Sequence, residues 1–180
     1  MALINTTTTG VLGSTFYGDG TGPLTIQQDG SQIAKITKNP TFFAWQSTQQ
    51  TGIGVATATK VNFQSIVFDT DGCFSTSLSR FTPTVAGYYL LSAAIQLPVA
   101  ASTATVNLSI YKNGSEWVNG NSAVGSSILY AVSVSTGIFY MNGTTDYAEC
   151  YTYGSNNGST YSLLNNQTRT NFQGTLIKAV

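Results

Sequence analysis

Val106, Leu108 and Ile110 alternate with Asn107, Ser109 and Tyr111 and run directly into Asn113-Gly114. A period of two puts the apolar residues on one face of a strand, and Asn-Gly accepts the positive φ of a two-residue hairpin, so this stretch predicts a half-buried strand closed by a tight turn. Comparable runs recur between turn residues: Thr41 to Trp45; Lys60 to Asp69, ending in Asp69-Thr70-Asp71-Gly72; Phe74 to Phe81, leading to Pro83; Ile128 to Val134; Asp146 to Tyr153; and Phe172 to Ile177. Tyr88 to Leu97 differs, because its centre is apolar at odd and even positions alike, the pattern of a strand covered on both sides. No segment has a helical period. Strands at this spacing predict an all-β sandwich over residues 39–180.

Residues 1–38 have another character. Thr6-Thr7-Thr8-Thr9-Gly10 is of low complexity, and Gly18-Asp19-Gly20-Thr21-Gly22-Pro23 is dense in residues that interrupt regular structure. Leu24-Thr25-Ile26 and Ile33-Ala34-Lys35-Ile36 then alternate around Asp29-Gly30, which predicts a hairpin. A lone two-stranded hairpin is marginal in water, so it should pack on sister chains, the main domain or a larger assembly. The expectation is a β-rich N-terminal anchor or stem followed by a folded head.

Composition strengthens the all-β reading. Asp, Glu, Lys and Arg make up 8% of the 180 residues, against about 25% in ordinary globular proteins. Solubility must come from Ser, Thr, Asn, Gln and Gly, residues of turns and strands rather than of helix surfaces. Seven acidic and seven basic residues balance, and the bases are scattered, so no electrostatic footprint for nucleic acid exists. No apolar run is long enough for a membrane-spanning helix, so no membrane insertion is expected. Met1-Ala2-Leu3-Ile4 lacks the features of a secretory signal, which leads to an expectation of synthesis in a cytosol and makes the six Asn-x-Ser/Thr sequons by-products of composition. In that setting Cys73 and Cys150 read as small buried thiols more readily than as a bridge.

Chemistry is largely excluded. The absence of histidine removes Ser-His-Asp and Cys-His catalysis, imidazole zinc sites and a pH switch between about pH 5 and pH 8. Asp69 with Asp71, and Asp146 with Glu149, are the available carboxylate clusters for glycosidase chemistry, but they read as groups that stabilise turns and strand starts. Asp69-x-Asp71-Gly72 opens like a calcium loop, yet Phe74 and Arg80 occupy the positions where such a loop requires Gly and Glu. Gly18-x-Gly20-x-Gly22 fails the dinucleotide spacing at Pro23. No enzyme activity, metal or cofactor is implied.

Phe43-Ala44-Trp45, Val61-Asn62-Phe63, Val67-Phe68-Asp69, Phe81-Thr82-Pro83, Ala86-Gly87-Tyr88-Tyr89-Leu90, Leu108-Ser109-Ile110-Tyr111-Lys112-Asn113-Gly114 and Phe172-Gln173-Gly174-Thr175-Leu176 occur in this order. In order and spacing they resemble the globular head of complement subcomponent q and its tumour necrosis factor relatives, a ten-stranded jelly roll that forms trimers. The resemblance covers residues 41–180 and implies a homotrimer, with Tyr88, Tyr89 and Leu91 as candidates for the core and the subunit interface. Asn142-Gly143-Thr144-Thr145-Asp146-Tyr147 replaces the family's Gly-Asp-x-Val turn, so apex ligand sites are not carried over.

A Thr/Gly-rich stem on such a head, without a secretion signal or collagen stalk, looks like phage fibre and capsid-decoration proteins. The expected role is therefore a virion surface protein docked on a capsid or tail component through residues 1–38. The alternative is a receptor-binding tip for host surface glycans. Trp117, Tyr151, Tyr153 and Tyr161, near stretches rich in Asn, Ser and Gly, are the candidate sugar-stacking rings, with core or interface packing as their other role.

Overall fold

The computed structural model describes residues 24–28, 31–36, 39–98, 104–121, 123–125, 130–155 and 160–180. The Thr6–Gly10 and Gly18–Pro23 stretches and the Asp29-Gly30 turn lie outside the described residues. The chain falls into two compact units, Met1–Thr37 and Lys38–Val180. In the first, β1 (Leu24–Gln28) pairs antiparallel with β2 (Ser31–Ile36).

The second unit is built from β3 (Thr41–Trp45), β4 (Gln50–Gly54), β5 (Thr59–Lys60), β6 (Ser65–Asp69), β7 (Phe74–Ser75), β8 (Arg80–Phe81), β9 (Gly87–Pro98), β10 (Ala104–Lys112), β11 (Ser115–Asn119), β12 (Ala123–Gly125), β13 (Tyr130–Met141), β14 (Ala148–Ser155), β15 (Thr160–Leu163) and β16 (Asn171–Ala179). One sheet has the order β13-β9-β16-β3-β6. The facing sheet runs β11-β10-β14-β8-β7, with β12 on β10 and β5 on β14, and β15 and β4 form a separate pair. Every pairing is antiparallel. Asn113 and Gly114 have φ of 52° and 79° between the paired Lys112 and Ser115, the two-residue hairpin that Asn-Gly predicts.

Between the sheets, Phe42, Phe63, Phe74, Phe81, Phe172 and Tyr89 form an aromatic cluster in which Phe42 stacks on Phe81 at 4.4 Å and meets Phe172 edge-on at 5.0 Å. The Tyr89 hydroxyl stays satisfied by donating to the Val85 carbonyl at 2.7 Å. Leu91, Ile95 and Leu97 of β9 oppose Val106, Leu108 and Ile110 of β10 across an aliphatic stretch, all of them buried.

Several sequence expectations change. Lys60 to Asp69 is not one strand: β5 ends at Lys60 and β6 starts at Ser65, and between them Val61 and Phe63 enter the core. Phe74 to Phe81 breaks into β7 and β8, because Ser79 sits at φ 46° and its hydroxyl accepts from the Phe63 amide at 2.8 Å, holding the turn inward. The Ile128 to Val134 strand extends to Met141. β4 and β15 were not foreseen: in β4, Gly52, at φ 69°, and the polar Gln50 and Thr51 hide its single buried residue, Ile53, and β15 is four residues long, with Tyr161 and Leu163 buried. Asp69 does act as a turn group, its carboxylate accepting from the Cys73 and Phe74 amides. Glu149 does lie at a strand start, as the second residue of β14, but its buried carboxylate is held by the Lys60 and Arg80 side chains rather than by a turn backbone.

Candidate functional site: an apolar sheet face and a tyrosine-flanked cleft

The first surface is the outward side of the β13-β9-β16-β3-β6 sheet. Along the β9–β13 ladder, Tyr88 faces Tyr140, Leu90 faces Ile138, Ser92 faces Thr136 and Ala94 faces Val134. Tyr88, Leu90, Val132, Val134, Ile138 and Tyr140 each keep at least 40% of their surface exposed. A polar belt crosses the middle, where the Ser92 and Thr136 hydroxyls hydrogen-bond at 2.8 Å. Neither twelve-residue strand contains Asp, Glu, Lys or Arg.

β13 is inverted relative to an ordinary half-buried strand. Val132, Val134 and Ile138 point outward, while Ser133 and Ser135 point into the sandwich and are fully buried. Their hydroxyls explain the register. Ser133 accepts from the Leu108 amide at 3.0 Å and donates to the Asn121 carbonyl at 2.5 Å, and Ser135 donates to the Val118 carbonyl. The serines thus tie the edge of one sheet to the backbone of the other, and a one-residue slip would leave those groups unpaired.

The second surface is a cleft of about 360 Å³ on the outward side of the other sheet, lined by Ala58, Asn107, Ser109, Tyr111, Glu116, Asn119, Tyr151, Thr152 and Tyr153. Alternation on β10 directs Asn107, Ser109 and Tyr111 outward, and the β10–β14 register sets Asn107 against Tyr153 and Ser109 against Tyr151. Tyr111 and Tyr151 lie 4.3 Å apart, tilted by 34°. Beside them is a polar network: Ser109 donates to Glu116 Oε1 at 2.6 Å, Asn119 donates to the same oxygen at 2.7 Å, and Asn107 donates to Asn119 Oδ1 at 2.7 Å. Burial, and then the Glu116 charge, push the Tyr111 phenol up.

Beside the cleft, on the same face of β14 as Tyr151, Glu149 receives Lys60 Nζ at 2.6 Å and Arg80 Nε at 2.7 Å. The Tyr151 hydroxyl donates to the other Glu149 oxygen at 3.3 Å. Burial pushes the Glu149 carboxyl up, but the two cations outweigh it and hold the group below the usual glutamate value. Arg80 also lies 3.7 Å from the centre of the Tyr147 ring. Both cations are engaged by Glu149 beside the cleft and do not line it.

The residues singled out in the sequence separate cleanly. Tyr88 belongs to the exposed sheet face, whereas Tyr89 and Leu91 are fully buried core residues, as strand alternation requires. Tyr151 and Tyr153 line the cleft. Tyr161 does not lie on a loop surface: it is 4% exposed and its hydroxyl bonds that of Thr152 at 3.1 Å, which removes it from the candidate sugar-binding rings. Trp117 is 56% exposed but does not line the cleft. It neighbours Glu116 on β11 and so faces the other way, toward Phe139 at 6.3 Å and the Lys112 ammonium at 5.4 Å.

The sequence reading missed Ile138 and Tyr140 on the sheet face and Asn107, Tyr111, Glu116 and Asn119 in the cleft. The outward apolar period of β13 was visible as Val132, Val134 and Ile138, but it is indistinguishable from an inward one without a partner sheet. Cys73 and Cys150 are both buried free thiols.

No protein-family model and no curated protein matches the sequence. Solved structures do match. The globular domain of zebrafish complement 1qA is 14% identical with a TM-score of 0.56, covering 79% of this chain and all of that one. Murine APRIL is 14% identical with a TM-score of 0.55, covering 78% of this chain and all of its own. Eiger TNF from S. frugiperda is 10% identical with a TM-score of 0.52, over 79% of this chain and 93% of its own. An all-β sandwich with these neighbours has the C1q/TNF-like jelly-roll fold.

Proposed function

We propose that this chain is a homotrimeric structural protein of a phage particle, a capsid decoration or short knob. Its head assembles through the outward face of the β13-β9-β16-β3-β6 sheet, and residues 1–38 dock on a capsid or tail component. The observation that carries the self-assembly is the apolar face of β9 and β13, two strands without a charged residue, where Tyr, Leu, Ile and Val side chains remain exposed in the single chain. A contiguous apolar face of this kind marks an interaction surface. Two further copies of the chain are the occupant, because the jelly-roll likeness points to threefold assembly and the exposed residues of β9 and β13 on this face are apolar or uncharged, so they can pack on their own copies.

The virion role is supported by the Thr/Gly-rich segment preceding the head and by the low charge of the whole chain. In this reading the protein sits on the virion surface and its work is mechanical rather than catalytic. A chain starting at Asn39 should still be trimeric by light scattering but fail to co-sediment with particles lacking the full-length protein. Retained particle binding by the truncated head would overturn the docking role of residues 1–38, and a monomeric full-length protein would overturn the trimer.

A further inference from the structure

We propose that the cleft between β11, β10 and β14 is a binding site for a neutral saccharide. This goes beyond the assembly role, and the cleft lies on the sheet facing away from the β9–β13 face. Its volume, about 360 Å³, is at the low end of small-molecule sites, ~300–1,000 Å³, which suits one or two sugar rings.

The chemistry of the lining selects the ligand class. Pyranose rings present an apolar C–H face and a rim of hydroxyls. The Tyr111 and Tyr151 rings, 4.3 Å apart, with Tyr153, half exposed, opposite Asn107, supply the aromatic surface. Glu116, Asn119 and Asn107 supply acceptors and donors in fixed positions, because the network through Ser109 holds them before any ligand arrives. Ser109 and Asn119 both donate to Glu116 Oε1, and Oε2 of the exposed carboxylate is the atom proposed to accept from ligand hydroxyls.

The charge of the cleft sets the specificity. Its single ionisable acid is Glu116, and it has no cationic lining residue. Lys60 and Arg80, on the adjoining strands, are both held on the Glu149 carboxylate, which offsets one of their two charges. Phosphate, sulfate and sialic acid would meet the Glu116 carboxylate directly, with no cation in the lining to hold them, so anionic glycans and nucleic acid should be disfavoured against neutral sugars.

Saturation-transfer NMR of the full chain with maltose, cellobiose, lactose and chitobiose, against 3′-sialyllactose, a heparin disaccharide and oligo-dT, tests this. At least one neutral sugar should show transfer, the anionic probes should not, and Tyr153→Ala and Glu116→Gln should each weaken binding about tenfold with an unchanged melting temperature. Both residues are solvent-exposed, so neither variant is expected to unfold. The same measurement on Ile138→Asp separates this proposal from the trimer: per-site affinity should persist in a monomer. No transfer from any neutral sugar, preference for an anionic probe, or binding indifferent to both cleft variants would overturn the site.

Discussion

Ile138→Asp is the sharpest probe of the assembly face. Ile138 is 60% exposed, the most exposed large apolar residue of β9 and β13, and it sits opposite Leu90 at the outer ladder edge. Full burial of an isoleucine side chain is worth about 1.5–3 kcal/mol, so covering the remaining three-fifths should contribute about 1–2 kcal/mol per protomer. An aspartate there forfeits that term and must also lose hydration, at several kcal/mol per carboxylate, three times in one assembly. The combined loss is about 10 kcal/mol or more per trimer.

In the isolated chain the same position faces water, so the cost to folding should be only about 1 kcal/mol, from the poor strand propensity of Asp. Size-exclusion chromatography with light scattering reads this directly: the wild type at three times the 19.0 kDa chain mass, the variant at one, with closely similar circular dichroism. Leu78→Asp is the control, because Leu78 is 51% exposed in the turn between β7 and β8 on the other sheet. A variant that stays trimeric, or a control that dissociates equally, would refute the reasoning.

Glu149→Gln should lower unfolding free energy by about 2–3 kcal/mol, less than the ~3–5 kcal/mol for breaking a fully buried pair, because Lys60 and Arg80 each keep 29% of their side chains exposed. The Glu149 carboxyl is held below its ordinary value of 4.5 in the folded chain. Its contribution is therefore complete above that value and lost as pH falls through the lowered one, so urea midpoints should drop between about pH 5 and about pH 3, and less steeply in the variant. Gly120→Ala should cost about 2–3 kcal/mol, since a Cβ would lie 2.3 Å from the Val134 carbonyl oxygen and 2.6 Å from that of Leu108, both backbone atoms. Thermal melting against Gly72→Ala, where nothing lies within 4 Å but φ is +63°, should show the larger fall at Gly120. Cys73 and Cys150 should resist a thiol reagent in the native protein and react together on denaturation. Both are buried, and burial pushes both thiols up, Cys150 furthest; rapid native labelling of Cys150 would contradict this packing.

Legibility in the sequence followed the range of the interactions. The β10 strand and its Asn113-Gly114 turn could be read because alternation and positive φ are properties of adjacent residues. Tyr88 to Leu97 announced a strand apolar on both faces for the same reason, although in the single chain its outer face is exposed at Tyr88 and Leu90. The division of labour within it, with Tyr88 outward and Tyr89 and Leu91 inward, needed the facing sheet. β13 was harder, since its buried serines find their partners at Leu108, Val118 and Asn121, on other elements. Tyr161 misled because a Gly- and Asn-rich neighbourhood says that a turn is near, not which way a ring points.

By itself the sequence determined an all-β sandwich from a neutral, charge-poor chain, because strand period, turn residues and the scarcity of Lys, Glu and Arg act locally and additively. Only the tertiary structure decided where the cleft lies and which face is left apolar. Tyr111 meets Tyr151, and Glu149 meets Lys60 and Arg80, through strand register between segments far apart in the chain. Which of two alternating faces turns outward is settled by the hydrogen bonds available across the sandwich, not by the alternation itself.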